Sequence, residues 1–218
     1  MVRARNRMDK ELSSIGGEKT SKWPRTSRRQ ERVESVLARR QPTLAVVLED
    51  VHDPHNASAV LRSCDAVGVM DVHLVYVTEE PPRKSFGRST SASAAKWIRL
   101  HFHDSIGECY AQLREQGYTI AATALEPDSR DFYSMDLTEP TALVFGNEMR
   151  GVSPEAIEGA DCTVYIPMQG MVESLNISVS CAVTLYEAMR QRREAGMYDE
   201  PQMDDGMRSA IRDEWLRK

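Results

Sequence analysis

Short apolar runs and amphipathic stretches alternate along most of the chain. Residues 44–48 form an unbroken apolar run of strand length, as expected for a strand covered on both faces. Similar runs predict strands over 72–77, 97–102, 118–124, 142–145 and 164–166. Between them, apolar positions recur at helical spacing. They predict a helix over about 56–67, with Ala59, Val60, Leu61, Cys64 and Val67 on its buried side. Further helices are expected over 106–116, 154–158 and 175–193. Gly68 stands where a left-handed C-cap belongs, and Gly117 closes the next helix. Ahead of the first strand, Val33, Val36 and Leu37 predict a helix over 30–40 that Gln41-Pro42 would end.

Repeated strand–helix alternation implies an α/β domain with a mostly parallel sheet and helices on both faces. In such sheets ligands bind beyond the carboxyl ends of the strands. The polar segments 52–62, 146–151 and 166–176 fall at those ends.

The first is approached through Leu48-Glu49-Asp50-Val51-His52-Asp53-Pro54-His55-Asn56, which runs into a helix carrying Arg62. Asn56 is placed to cap that helix. The pair reads either as a cap with a surface arginine or as site chemistry. The second is Phe145-Gly146-Asn147-Glu148-Met149-Arg150-Gly151, followed by Ser153-Pro154 as N-cap and first helical residue. Its glycines permit close backbone approach to a ligand. Glu148 leaves the sheet at the ligand-binding edge, or is simply an exposed corner residue. The third is Ile166-Pro167-Met168-Gln169-Gly170, then Ser174-Leu175-Asn176-Ile177-Ser178-Val179-Ser180 at the mouth of the long last helix. One cap cannot account for so many polar groups at a helix start, where free N–H donors favour anionic ligands.

Composition narrows the reading. The 218 residues fit one domain with extensions, and no run approaches the length of a membrane span. The N-terminus lacks the apolar core of a secretion signal, so a soluble cytoplasmic protein is expected. The four cysteines, Cys64, Cys109, Cys162 and Cys181, are widely spaced and are expected to be buried free thiols. His52 and His55 lie close together but have no third ligand nearby in sequence, so no metal is expected. Neither a dinucleotide fingerprint nor a P-loop is present. The net charge of −5 hides an asymmetry: residues 1–40 carry +7 and the remainder −12. A basic arm on an acidic body suggests a polyanionic partner. Residues 1–29 are read as a flexible basic arm and 199–218 as a short acidic tail.

Together the three segments resemble the SPOUT superfamily, in its SpoU/TrmH branch of RNA ribose 2′-O-methyltransferases. Motif 1 looks like His55-Asn56 through Arg62. Motif 2 looks like Phe145-Gly146-Asn147-Glu148 with Gly151, and motif 3 like Ile166-Pro167-Met168 through Ser178. The resemblance covers about residues 30–198. The stretch Val36-Leu37-Ala38-Arg39-Arg40-Gln41-Pro42 and the ending around Tyr186 to Tyr198 favour the subgroup that methylates guanosine 18 in the D-loop of tRNA. Ribosomal RNA, or another tRNA position, is the alternative target. A catalytically silent RNA-binding protein of this fold is the alternative of a different class.

The resemblance implies an α/β domain with a deep trefoil knot over about 142–176. It implies a homodimer joined through the knot and the last helix, over about 175–194. It also implies S-adenosyl-L-methionine (AdoMet) as methyl donor, leaving S-adenosyl-L-homocysteine. Thr123, Gly146, Ile166 and Leu175 would line the donor pocket, with Met168 and Gly170 nearby. Arg62 would act on the ribose hydroxyl, with Asn56, Glu148, Asn176 and Ser174 completing the catalytic network. For tRNA, the expected contacts are Arg32, Arg39, Arg40 and His55, with Arg190, Arg192 and Arg193 on the last helix.

Overall fold

The computed structural model describes residues 27–79 and 94–218. Of the arm expected over 1–29, residues 1–26 lie outside the described residues, as does the surface loop expected at Pro81-Pro82, while residues 27–29 belong to a helix. In chain order the elements are α1 (Ser27–Leu37), β1 (Gln41–Glu49), α2 (Pro54–Val67), β2 (Val69–Val75), β3 (Arg99–His103), α3 (Ile106–Glu115), β4 (Thr119–Thr123), β5 (Arg130–Asp131), β6 (Thr141–Phe145), α4 (Pro154–Gly159), β7 (Cys162–Tyr165), α5 (Ile177–Glu194) and α6 (Asp205–Arg217). The strands form one sheet in the order β3-β2-β1-β6-β4-β7-β5. Every pairing is parallel.

Strand order explains the continuous apolar runs. β1 and β6 lie at the centre, and Leu44 through Leu48 and Ala142 through Phe145 are almost fully buried. Alternate residues feed two cores. Leu44, Val46, Leu48, Leu143 and Phe145 pack against α2 and α5, which bring Val60, Leu61, Cys64, Cys181 and Leu185. Ala45, Val47, Ala142 and Val144 pack against α3 and α4, which bring Ile106, Cys109, Leu113 and Ala156. The chain leaves β3 on one flank, crosses to β4, and returns to insert β6 beside β1. The carboxyl ends of β1, β4, β6 and β7 therefore open on the same edge.

Several boundaries move for identifiable reasons. α1 ends at Leu37, before the expected stop, and Gln41-Pro42 opens β1 instead of closing a helix. α2 starts earlier than its apolar pattern suggested. Asp53 is its N-cap, accepting the His55 N–H at 2.8 Å, and Pro54 takes the first turn. Asn56 is therefore not the cap. Gly68 does adopt the left-handed conformation, with φ 92°, and a Cβ there would sit 2.6 Å from the Arg39 carbonyl oxygen. The segment read as an acidic tail contains a 13-residue helix, α6, capped by Asp204. Its Ile211, Trp215 and Leu216 meet Val33 and Leu37 of α1 in a third apolar cluster. Cys64, Cys109 and Cys181 are buried free thiols, whereas Cys162 is half-buried. No helix among the described residues is long and apolar enough to cross a membrane.

Two arginines expected to meet RNA are fully buried, and this corrects their assignment. Arg40 bonds the Val69 carbonyl at 3.1 Å, pairs with Asp65 and lies 5.1 Å from the Trp215 ring centroid. Arg192 directs all its donors inward. Nε bonds the Leu137 carbonyl at 2.8 Å, one terminal nitrogen bonds Gln41 and Thr43 side chains, and the other bonds the Thr43 and Glu139 carbonyls. A planar five-donor fork suits this clustering of carbonyls as an ammonium would not. Neither side chain can reach a phosphate in this fold.

The fold also gathers histidines from separate strands. His73 Nδ1 lies 2.9 Å from His103 Nε2 in the buried layer beneath α3, near Cys109, and His73 stacks on His101 at 4.6 Å. His101 bonds Asp71 at 2.7 Å. Asp71 and His73 lie on β2, 28 positions or more before His101 and His103 on β3, so proximity in sequence could not reveal the cluster. The two buried imidazoles satisfy one another. Burial, reinforced by the neighbouring histidines, lowers the His73 pKa to about 3.

Two predictions follow from these buried groups. Arg192→Ala should cost ~3 kcal/mol or more in urea unfolding, because it strands several buried acceptors. Arg190→Ala, by contrast, should barely move the midpoint, since Arg190 makes surface pairs with Glu187 and Glu194. His73 should make stability pH-dependent. Between pH 6.5 and about 3 the unfolded chain binds a proton at this position that the folded chain refuses. The contribution is therefore fully present above pH 6.5 and is lost on acidification, with a slope approaching ~1.4 kcal/mol per pH unit. His73→Asn should flatten that part of the stability profile.

Candidate functional site

The open edge of the sheet holds a cleft of about 800 Å³ between the segments that follow β4, β6 and β7. Thr123, Gly146, Ile166, Met168, Gly170 and Leu175 all line it, as do Glu148, Ser174 and Asn176. Its walls are mixed: Leu125, Phe145, Ile166 and Leu175 are apolar, while Glu148, Asn147 and Asn176 present charge and amides.

The loop after β6 folds back on itself. Asn147 and Gly151 exchange two backbone hydrogen bonds, at 2.9 and 2.8 Å. Gly151 has φ 70°. A Cβ on Gly146 would lie 2.1 Å from the Gly151 backbone, so no other residue fits there. Asn147 is buried at the centre of this turn. Its Oδ1 accepts the N–H groups of Met149 and Arg150 at 2.9 and 3.1 Å, and its Nδ2 donates to the Asp50 carbonyl at 2.8 Å.

Glu148, projecting from that turn, joins the loop after β6 to the start of α2. It accepts the backbone N–H groups of His52 at 3.1 Å and Asp53 at 3.2 Å, and Asn56 Nδ2 at 2.9 Å. Burial pushes its pKa upward, but these bonds from Asn56, His52 and Asp53 outweigh burial and hold it below the ordinary carboxylate range. Asn56 continues the chain of bonds: its Oδ1 accepts from Asn176 Nδ2 at 3.1 Å. Asn176 is the N-cap of α5 and accepts the Ser178 N–H at 2.9 Å and its hydroxyl at 2.6 Å. One hydrogen-bonded path thus crosses all three polar segments. Asn56 can take part because Asp53 performs the capping.

Arg62 lies outside this path. Six residues beyond Asn56, at about 100° per residue, it points to a different side of α2. It is exposed, does not line the cleft, and has no ion-pair partner among the described residues. His55 is exposed at the first turn of α2. Arg32 and Arg39 are exposed near α1, and Arg193 is exposed on α5. Arg190 is held by Glu187 and Glu194.

Sequence reasoning did not single out four residues that shape the site. Asp50 stood just ahead of the first polar segment and Asn147 inside the second, where an acidic residue at a strand end and an asparagine between glycine and glutamate were the available signals. Glu79 and Arg150, paired at 3.0 Å, gave none, because 71 residues separate them.

The SpoU rRNA Methylase family matches residues 43–186, which contain the whole path. The tRNA (guanosine(18)-2'-O)-methyltransferase of Thermus thermophilus is 50% identical over 194 residues, covering 89% of this chain and 98% of that protein. Among solved structures, the A. aeolicus TrmH/SpoU tRNA modifying enzyme superposes with a TM-score of 0.77 at 37% identity, over 87% of this chain and 95% of that one. The SpoU methyltransferase AviRb from Streptomyces viridochromogenes, in complex with the cofactor AdoMet, superposes with a TM-score of 0.61 at 26% identity, over 72% of this chain and 59% of that one. With about two-thirds of its length matched by the family and half of the 194 aligned residues identical in such a relative, this chain is a member of the SpoU methylase family.

Proposed function

We propose that this protein is a cytoplasmic, AdoMet-dependent methyltransferase that modifies the ribose 2′-hydroxyl of guanosine 18 in the D-loop of tRNA. The observation that carries the proposal is the hydrogen-bonded path Glu148–Asn56–Asn176, which draws three distant segments to the rim of one cleft. The target follows the Thermus relative, which matches over nearly its full length and is named for that nucleotide.

The cleft suits the donor in size and chemistry. A volume of about 800 Å³ lies within the range of small-molecule sites. Leu125, Ile166 and Leu175 offer apolar surface for a purine, and the tight turn at Gly146 brings backbone groups to the wall. AdoMet supplies an electrophilic methyl group on a positively charged sulfur. The chain's task is to hold the ribose oxygen in line with that group and to ease loss of its proton. Asn56 and Asn176, fixed through Glu148, orient the ribose, and Ser174 shapes the rim. A guanidinium stays protonated at neutral pH and is a poor base. Arg62 therefore stabilises the developing alkoxide, while the proton leaves to a phosphate oxygen or to solvent.

Because Arg62 lies off its own cleft, it serves the cleft of a second copy. The functional unit is a homodimer joined through the knotted region, about residues 142–176, and α5. Exposed Met149, Met171, Val172, Val179 and Tyr186 supply apolar surface for that contact. Knotting is supported by membership of the SpoU family. Arg32, Arg39, Arg193 and His55 remain exposed for tRNA, each neutralised phosphate adding salt-dependent affinity.

Purified protein incubated with labelled AdoMet and tRNA should transfer label, and nuclease mapping should place it on guanosine 18. Label on ribosomal RNA alone, or none at all, would reject the assignment. Arg62→Ala should lower single-turnover methyl transfer by about 100-fold or more, on the scale of removing one transition-state donor. Mixing Arg62→Ala protein with a cleft variant such as Leu175→Arg, each inactive alone, should restore activity in mixed dimers. Failure of mixed dimers to recover would place Arg62 in its own subunit's site.

A further inference from the structure

We infer that Asp50 is a positioning residue for the reaction, setting the loop that carries Glu148 by locking two neighbouring loops to the end of β1. The inference rests on the methyltransferase reading above and adds a residue that does not line the cleft.

Asp50 is the one non-glycine residue with positive φ among the described residues, at 49°. Aspartate and asparagine tolerate this left-handed conformation better than most residues, but it carries a cost. The conformation turns the backbone so that both its polar groups are used. The Asp50 N–H donates to the Val75 carbonyl at 2.9 Å, and its carbonyl accepts Asn147 Nδ2 at 2.8 Å. The carboxylate is buried and accepts the successive N–H groups of Val77, Thr78 and Glu79 at 2.9–3.1 Å. Three donors converging on one carboxylate form a strong, charge-assisted clamp.

The two halves of Asp50 act on different loops. Its carboxylate holds the chain leaving β2. Its carbonyl anchors Asn147, whose side chain in turn folds the 147–151 turn through Met149 and Arg150. The loops are tied again where Arg150 meets Glu79 at 3.0 Å, with Asp50 Oδ2 3.9 Å from the same guanidinium. Glu148 projects from the middle of this assembly, and its three bonds to 52–56 depend on where the turn sits. Glu49 plays a matching part on the other side, accepting the Ser153 N–H at 2.8 Å. A strand-exit turn alone would need the backbone conformation but not the carboxylate. Asp50 supplies both.

Two substitutions separate these contributions in the full-length chain. Asp50→Gly keeps the left-handed backbone available and deletes the acceptor oxygens. Asp50→Asn keeps the conformation and one acceptor. With saturating AdoMet and tRNA, Asp50→Gly should slow single-turnover methyl transfer by about 30-fold or more, as expected for misplacement on the ångström scale. Asp50→Asn should stay within about threefold, and calorimetric affinity for S-adenosylhomocysteine should fall much less than the rate. Amide hydrogen exchange should show 77–79 and 149–151 loosening together in Asp50→Gly while β4 and α3 stay protected. A normal rate in Asp50→Gly, or loosening confined to 77–79, would overturn the inference. The exchange measurement does not require catalysis. If the unaltered protein failed to methylate RNA, the methyltransferase reading would fall while the loop coupling would still be decided.

Discussion

The site depends on a single carboxylate contact across the sheet edge, where Glu148 accepts two backbone N–H groups and one side-chain amide from the segment that begins α2. Each donor would otherwise need water or another acceptor, and each bond is strengthened by the charge it meets. The depressed pKa of Glu148 is the electrostatic signature of the same arrangement. Through Asn56 the contact extends to Asn176, so the N-terminus of α5 is registered against the same loop. Loops that are individually mobile elements in most folds become one unit here, because their polar groups complete one another.

That unit stands on a rigid base. β1 and β6 are covered on both faces, and their apolar side chains divide between two cores. Glu49, the last residue of β1, and Asp50, just beyond it, then convert strand into site: one holds the turn before α4, the other the chain leaving β2. Far from the cleft, Arg40 and Arg192 bind the opposite end of the sheet to α6 and α5. Their charges serve packing, since every acceptor they satisfy is a carbonyl, hydroxyl, amide or carboxylate of the chain itself. The positive charge left at the surface for a polyanion is correspondingly smaller than a count of arginines implies.

The α/β class, the central strands and the helices at 106–116 and 154–158 were legible because apolar periodicity is a local consequence of burial. Segments with mixed signals were less so. Pro42 marked a boundary correctly but on the wrong element, since a strand opening tolerates proline as well as a helix end does. α6 was hidden by its acidic surroundings, its few apolar residues becoming meaningful only against α1. Asn56 suits the cap of α2 by type and place, but Asp53 takes that role and leaves the Asn56 amide to meet Glu148 and Asn176, partners about 90 or more residues away.

What the amino-acid order by itself determined was the set of elements and the presence of three polar segments at strand ends, because hydrophobic period, caps and glycines act over a few residues. Tertiary structure alone decided partnership. It turned Arg40 and Arg192 inward, brought His73 to His103, and left Arg62 outside the cleft. Those outcomes depend on strand order and on hydrogen bonds between groups tens of residues apart, and no local pattern encodes which distant acceptor a buried donor will find.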